Sequence, residues 1–227
     1  MFDFLTKKNK KPLFLEKYEK RFSRKIPGNT ALEALRFVVI DTETTGLNLT
    51  RAQLLSFGGI AATGMTLNLA DSLEIVFRHP HVVVSETAQI HGILKSHVER
   101  GMAPGPALRD ILDFIKDSVL VGHHMDFDKK ILEKTLQNSF PGSKIKNKML
   151  DTASLALRLE HFNDGYIYKP EDYTLDALCD RYRIPLNDRH TAAGDAFMTG
   201  QLLLKLLSQC KTRKIGSLNE LLKKPGF

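Results

Sequence analysis

Only two cysteines occur in the 227 residues, Cys179 and Cys210, and they lack a Cys-x-x-Cys spacing. That argues against a disulfide scaffold or a thiolate metal site and fits a reducing compartment, with both thiols serving as small buried hydrophobes. No apolar run approaches the roughly 18 residues that a membrane span needs. The opening Met1-Phe2-Asp3-Phe4-Leu5 is too short for a secretory h-region and precedes its lysines, so a cytoplasmic protein with no membrane span is expected. The sequence has no internal repeat and no low-complexity block. At 42% hydrophobic and 26% charged it is too apolar for disorder and long enough for one sizeable core.

The net charge of +7 is unevenly spread. Residues 1–30 carry nine basic and three acidic side chains, residues 31–200 carry 18 and 22, and residues 201–227 carry six and one. Basicity therefore belongs to the ends, which are candidate phosphate-tracking or partner-docking elements around a mildly acidic middle. The expected division is a basic N-terminal extension (1–30), a central domain (31–209) and an exposed basic C-terminal tail (210–227). Phe14, Leu15, Tyr18 and Phe22 fall at helical spacing between Pro12 and Ile26, and Pro27-Gly28-Asn29 follows as a linker. This amphipathic helix is either an arm for phosphates, a membrane surface or a partner, or one whose aromatic face folds back on the domain.

From Arg36 the pattern changes. Phe37-Val38-Val39-Ile40 is a continuous apolar run ending at Asp41, the signature of a buried central strand. Leu54 to Ala62 and Asp71 to Phe77 read as two further strands across a turn at Gly64 and Asn68, giving an antiparallel meander. Val119 to Gly122 and Lys148 to Asp151 read as short strands. Helices are expected at Ala107 to Ile115, Phe127 to Gln137, Thr152 to His161, Leu175 to Tyr182 and Thr191 to Ser208. A meander followed by strands alternating with helices implies an α/β protein with a mixed five-stranded sheet, its first three strands antiparallel, flanked by helices.

Four carboxylates fall on that frame where they can meet. Asp41 closes the first strand, and Glu43, two residues on, points to the same side. Asp128 lies near the start of the helix that follows Val119 to Val121. Asp195 lies in the first turns of the Thr191 helix among Ala192, Ala193, Gly194 and Ala196, where a lone carboxylate would be poorly compensated. Converging carboxylates repel unless neutralised, and hard oxygen donors select Mg²⁺ or Mn²⁺, two of which can bracket the reacting oxygens of a phosphodiester. His190, just before the helix, is a candidate general base. Each residue also has a plain structural alternative: turn former, helix cap or surface histidine.

In this order and with these flanks the residues resemble a family. Asp41-Thr42-Glu43-Thr44-Thr45-Gly46-Leu47, Val121-Gly122-His123-His124-Met125-Asp126-Phe127-Asp128 and His190-Thr191-Ala192-Ala193-Gly194-Asp195-Ala196 are similar to the three motifs of the DnaQ-like, DEDDh 3′-to-5′ exonucleases. That family includes the proofreading epsilon subunit of DNA polymerase III, the PolC exonuclease domain, ribonuclease T and oligoribonuclease. The likeness runs from about Arg36 to Leu207, with landmarks at Ile90-His91-Gly92-Ile93 and Leu150-Asp151-Thr152.

The resemblance implies a ribonuclease H-like fold and a 3′-to-5′ exonuclease acting on single-stranded DNA and releasing nucleoside 5′-monophosphates. Asp41, Glu43, Asp128 and Asp195 would hold two Mg²⁺ or Mn²⁺, and His190 would take the proton of the attacking water. Thr42, Thr44, Thr45, Gly46 and Leu47 would contact the terminal nucleotide, with His91 as a further contact. Partners would be nucleic-acid 3′ ends, DNA ahead of RNA, and a DNA polymerase or another replication or repair protein.

The second motif departs from the family's usual His-Asn at His124, which bears on local substrate contact. Asp128, following Phe127, takes the catalytic role, and Asp126 is read as a solvated neighbour. The motifs do not separate DNA from RNA, so an exoribonuclease is the alternative, as is a non-catalytic nucleic-acid or polymerase-binding module. A zinc site from His79, His81, His123 and His124 lacks a helical ligand spacing. The stretch from Gln201 to Leu207 loosely resembles a sliding-clamp peptide, but its leucines continue the helix.

Overall fold

A computed structural model describes residues 11–79, 92–161 and 169–223. Strand β1 (Arg36–Thr44) is the centre of the five-stranded sheet. It runs antiparallel to β2 (Leu54–Thr63), which is antiparallel to β3 (Thr66–Val76). On its other side β1 is parallel to β4 (Val119–Gly122), and β4 is parallel to β5 (Met149–Asp151), for the order β3-β2-β1-β4-β5.

The apolar run in β1 reads as continuous because both faces are covered. Phe37 and Val39 enter one core with helices α5 (Thr152–Glu160), α6 (Leu175–Arg181) and α7 (Ala192–Thr212). Val38 and Ile40 enter the other with α1 (Leu13–Arg21), α3 (Pro104–Ile115) and α4 (Asp126–Ser139). This period-two division decides which side of the sheet each later β1 residue faces.

β3 begins at Thr66 rather than Asp71. Gly64, at φ +60°, closes a tight hairpin, and a register shift between Ile60 and Ala61 absorbs the mismatch. Most β3 side chains face solvent, which removes the apolar alternation that would have marked its start. Helix α2 (Lys95–Arg100) was not anticipated, since its six residues bury Val98 as their one core aliphatic.

Both chain ends join the same cores. Leu15 and Tyr18 of α1 are buried, so the aromatic face folds back on the domain. The Tyr18 hydroxyl donates to Asn147 Oδ1 at 2.6 Å and accepts from the Lys146 N–H at 2.9 Å. Asn147 in turn donates to the Ser118 carbonyl at the foot of β4.

The expectation of an exposed tail is corrected for residues 210–223. Cys210 is buried, and a Ser217/Glu220 capping box starts helix α8 (Leu218–Leu221), whose Leu218 and Leu221 are buried in the core. The Pro27–Asn29 segment is more than a linker. Asn219 N–H donates to Gly28 O at 2.8 Å, Leu218 N–H to Thr30 O at 3.0 Å and Leu32 N–H to Gly216 O at 3.1 Å. Excess lysine and arginine gave the C-terminal end the look of a solvated tail and left the N-terminal helix open between arm and docked face; a few leucines and one tyrosine decide where both ends go.

Candidate active site

Past Ile40 the alternation of β1 continues with polar residues. Asp41 and Glu43 follow Phe37 and Val39 onto the α7 face, and Thr42 follows Ile40 onto the α4 face. Thr42 Oγ1 donates to Asp128 Oδ1 at 2.5 Å, which fixes the buried Asp128 of α4 against the strand. Asp126, two residues earlier, is exposed.

Asp195 is brought in by a close approach of helix and sheet. Gly58 pairs with Asp41 across the β1–β2 ladder, and a Cβ on Gly58 would sit 2.2 Å from the Ala192 carbonyl carbon and oxygen. Only glycine lets the first turn of α7 lie on β2 here. Thr191 caps that turn by accepting from the Gly194 N–H at 3.0 Å. A Cβ on Gly194 would meet the Asp188 carbonyl oxygen at 2.2 Å, so the preceding loop is folded tightly over the helix start.

The result is a cluster in which ligand oxygens of Asp41, Glu43 and Asp195 lie within 4.8 Å of one another. Burial, reinforced by its neighbours Asp128, Asp195 and Glu43, pushes the Asp41 carboxyl well above the usual carboxylate range. Glu43 is raised to about 7, by burial first and then by Asp195 and Asp128. Asp128 is raised to about 6 by burial, against the stabilising hydrogen bond from Thr42.

His190 has φ +62° and is exposed; its N–H donates to Asp195 Oδ1 at 3.3 Å. The neighbour on Asp195 that sequence reading missed is Arg189. Its Nη1 donates to Asp195 Oδ2 in a very short ion pair, and its Nε donates to Asp176 Oδ1 at 2.6 Å. The signal available was its place beside His190, but Asp176 is 13 residues away on α6 and nothing local marks the pair.

The nucleotide-contact candidates run from Thr42 and Thr44 at the end of β1 into the loop that follows it. Thr44 Oγ1 donates to the Gly46 carbonyl at 3.0 Å. Thr45 N–H donates to the Gln53 carbonyl at 3.0 Å, and its hydroxyl accepts from the Gln53 N–H. Leu47 is 85% exposed, an apolar side chain standing in solvent beside the acidic edge. Lys134 of α4, also missed in the sequence, holds this loop through the Leu49, Thr50 and Ala52 carbonyls at 2.8, 3.1 and 2.7 Å. His91 lies outside the described residues.

The β4–α4 turn is rigidly tied. His123 shares hydrogen bonds with Thr152 Oγ1 and the Tyr173 carbonyl, both at 2.9 Å, and burial lowers it to about 4, which keeps the ring neutral. Asp151 Oδ2 accepts from the Met125 N–H at 2.9 Å. His124 sits at φ +54°, a left-handed conformation that asparagine and histidine both adopt more readily than most residues. That accounts for histidine at this position in backbone terms.

Fold and site together define a mixed-sheet α/β protein with a carboxylate cluster suited to a hard cation on the edge of its central strand. Residues 38–203 match the family model RNase_T, described as Exonuclease, and the chain belongs to that exonuclease family. It is 29% identical over 193 residues to the DNA polymerase III PolC-type of Bacillus subtilis, which covers 84% of this chain and 13% of that protein. It is 29% identical over 187 residues to a DNA polymerase III subunit epsilon-like protein of Rhodobacter capsulatus, covering 81% of this chain and 25% of that one. The chain thus spans a quarter or less of these relatives.

Among solved structures, E. coli Exonuclease I in complex with a dT13 oligonucleotide superposes with a TM-score of 0.65 at 14% identity, over 80% of this chain and 43% of that one. The nuclease domain of 3′hExo, a DEDDh family member bound to rAMP, gives 0.64 at 14% identity, over 79% and 94%. These likenesses place the fold among the ribonuclease H-like exonucleases.

Proposed function

We propose that this chain is a 3′-to-5′ exonuclease that removes nucleotides one at a time from the 3′ end of single-stranded DNA as nucleoside 5′-monophosphates. The observation that carries the reading is the convergence of Asp41, Glu43 and Asp195 oxygens within 4.8 Å, with Asp128 joined to the same strand through Thr42. Four carboxylates with a single guanidinium beside them fit two Mg²⁺ or Mn²⁺, since the donors are all hard oxygens and Arg189 offsets only part of their mutual repulsion. Bound there, the cations supply the positive charge that lets a phosphate approach this acidic edge and that favours in-line displacement at phosphorus.

The chain's own residues supply the rest. Asp41, Glu43 and Asp195 would hold one cation, and Asp128 would hold the other together with Asp41. His190 takes the proton of the attacking water while the new P–O bond forms and the bond to the penultimate 3′ oxygen breaks. Backbone and hydroxyl groups at Thr42, Thr44, Thr45 and Gly46 line the terminal nucleotide, and exposed Leu47 wedges against its base. His91 is a further substrate contact in this reading.

DNA is preferred over RNA, and a polymerase or repair protein is the expected partner, because the sequence relatives are polymerase III proteins. The test is side-by-side turnover of matched 3′-labelled DNA and RNA oligomers with Mg²⁺. Labelled mononucleotide as first product, faster from DNA, is expected. Faster release from RNA would make the chain an exoribonuclease, and no release from either would leave a binding module.

A further inference from the structure

We propose that Arg189 is a positioning residue that serves as counter-ion of the acidic cluster in the metal-free protein and yields Asp195 to a divalent cation by withdrawing onto Asp176. The inference rests on the reading of the cluster as a cation site. Among the described residues, the one ion pair that joins Asp41, Glu43, Asp128 or Asp195 to a lysine or arginine is that of Asp195 with Arg189. Its charge lowers the pKa of both Asp41 and Glu43 against the larger effects of burial and carboxylate repulsion.

The guanidinium is divided unequally. Nε and Nη2 meet the two oxygens of Asp176 at 2.6 and 3.3 Å, a side-on fork, while Nη1 alone reaches Asp195. Releasing Asp195 therefore breaks one hydrogen bond and leaves the fork whole. The Asp176 side chain is 54% exposed and that of Asp195 11%, so the fork is anchored at the surface and the finger that would be exchanged for a cation is the inner one. Burial opposes the charge on Arg189, but its hydrogen bonds to Asp176 and Asp195 hold its pKa above the ordinary value, so it stays a cation throughout. A divalent ion presents more charge to several carboxylates at once than a single N–H bond presents to one.

Two variants should move metal affinity in opposite directions. Arg189→Met removes the competitor and a nearby positive charge, so Mn²⁺ should bind about tenfold tighter by isothermal titration. Asp176→Asn removes the place of withdrawal, leaves Arg189 committed to Asp195 and should weaken Mn²⁺ several-fold. Arg189→Lys, which keeps the charge without the fork, should fall between wild type and Arg189→Met. In EDTA, Arg189→Met should melt below wild type, and saturating Mn²⁺ should close that gap. A residue that merely supports the fold would weaken binding in both variants. Shifts of the same sign, or no change in Arg189→Met, overturn the proposal. If wild type itself binds no Mn²⁺, and Asp41→Asn titrates as wild type does, it is the cation reading of the cluster that fails.

Discussion

Gly58→Ala puts the geometry of the site to a sharp test. The added Cβ would lie 2.2 Å from the carbonyl carbon and oxygen of Ala192, both backbone atoms that cannot rotate away. Ordinary contact begins near 3.4 Å, so the start of α7 must lift from β2 by about 1 Å, taking Asp195 away from Asp41. Overpacking of this kind costs about 1–3 kcal/mol, which for a chain of this size lowers the melting temperature by roughly 3–10 °C. A 1 Å misplacement of a reacting group costs on the order of 10²-fold in rate.

The control is Gly59→Ala. Its Cβ would crowd the Phe114 and Phe57 rings on the opposite face, side chains that can shift without moving Asp195. Release of a 3′-terminal nucleotide from single-stranded DNA, Mn²⁺ titration and thermal melting should be run on both. Gly58→Ala should lose about 10²-fold in kcat with weaker Mn²⁺ binding, and Gly59→Ala should lose stability with kcat near wild type. A folded Gly58→Ala protein with wild-type kcat and Mn²⁺ affinity would refute the argument that this glycine sets the carboxylate spacing.

Other outcomes follow from the same structure. Glu43 and Asp128 are raised to about 7 and about 6, so between about pH 4.5 and pH 7 the folded protein binds more protons than the unfolded chain. In EDTA the melting temperature should therefore fall as pH rises across that window, and Glu43→Gln should flatten the slope; a rising melting temperature would contradict the carboxylate repulsion. Divalent-metal affinity should strengthen over the same interval, since the cation must displace those protons, as a titration series at fixed ionic strength would show. Tyr18→Phe should cost about 1–3 kcal/mol, because Asn147 Oδ1 and the Lys146 N–H lose a buried partner, while kcat stays unchanged. Denaturant melts and turnover measured on the same preparation check both halves of that statement.

What could be read in the sequence was what depends on local pattern. The strand ending at Asp41 was legible because burial on both faces leaves a continuous apolar run, and the strand at 119–122 because it is a short apolar stretch between polar segments; the strand at 149–151 carries only Met149 and Leu150 ahead of Asp151. The acidic cluster was legible through period two in β1 and through the small residues around Asp195, of which Ala192 lies against Gly58 of β2 and Gly194 against the Asp188 carbonyl. Less was visible where tertiary contacts decide. β3 faces solvent and carries no clean alternation. The basic C-terminal end hid Leu218 and Leu221 among lysines and arginines, whereas the stripe with Leu15 and Tyr18 was visible at the N-terminal end and only its docking was left open. Arg189 to Asp176, Thr42 to Asp128 and Lys134 to the loop at 49–52 join residues far apart in the chain, and no spacing announces them. His124 departs from the family motif in chemistry and sits at a positive φ, which histidine adopts more readily than most residues.

The central claim is that the carboxylates on β1 are the seat of nucleotide removal. Its most direct measurement is release of labelled 5′-mononucleotide from the 3′ end of single-stranded DNA in Mg²⁺, by wild type and by Asp41→Asn, each shown to be folded. Wild type should release the 3′-terminal nucleotide first and stop when EDTA is added, and Asp41→Asn should be slower by a factor on the order of 10³ or more. An Asp41→Asn protein that keeps wild-type turnover would contradict the account.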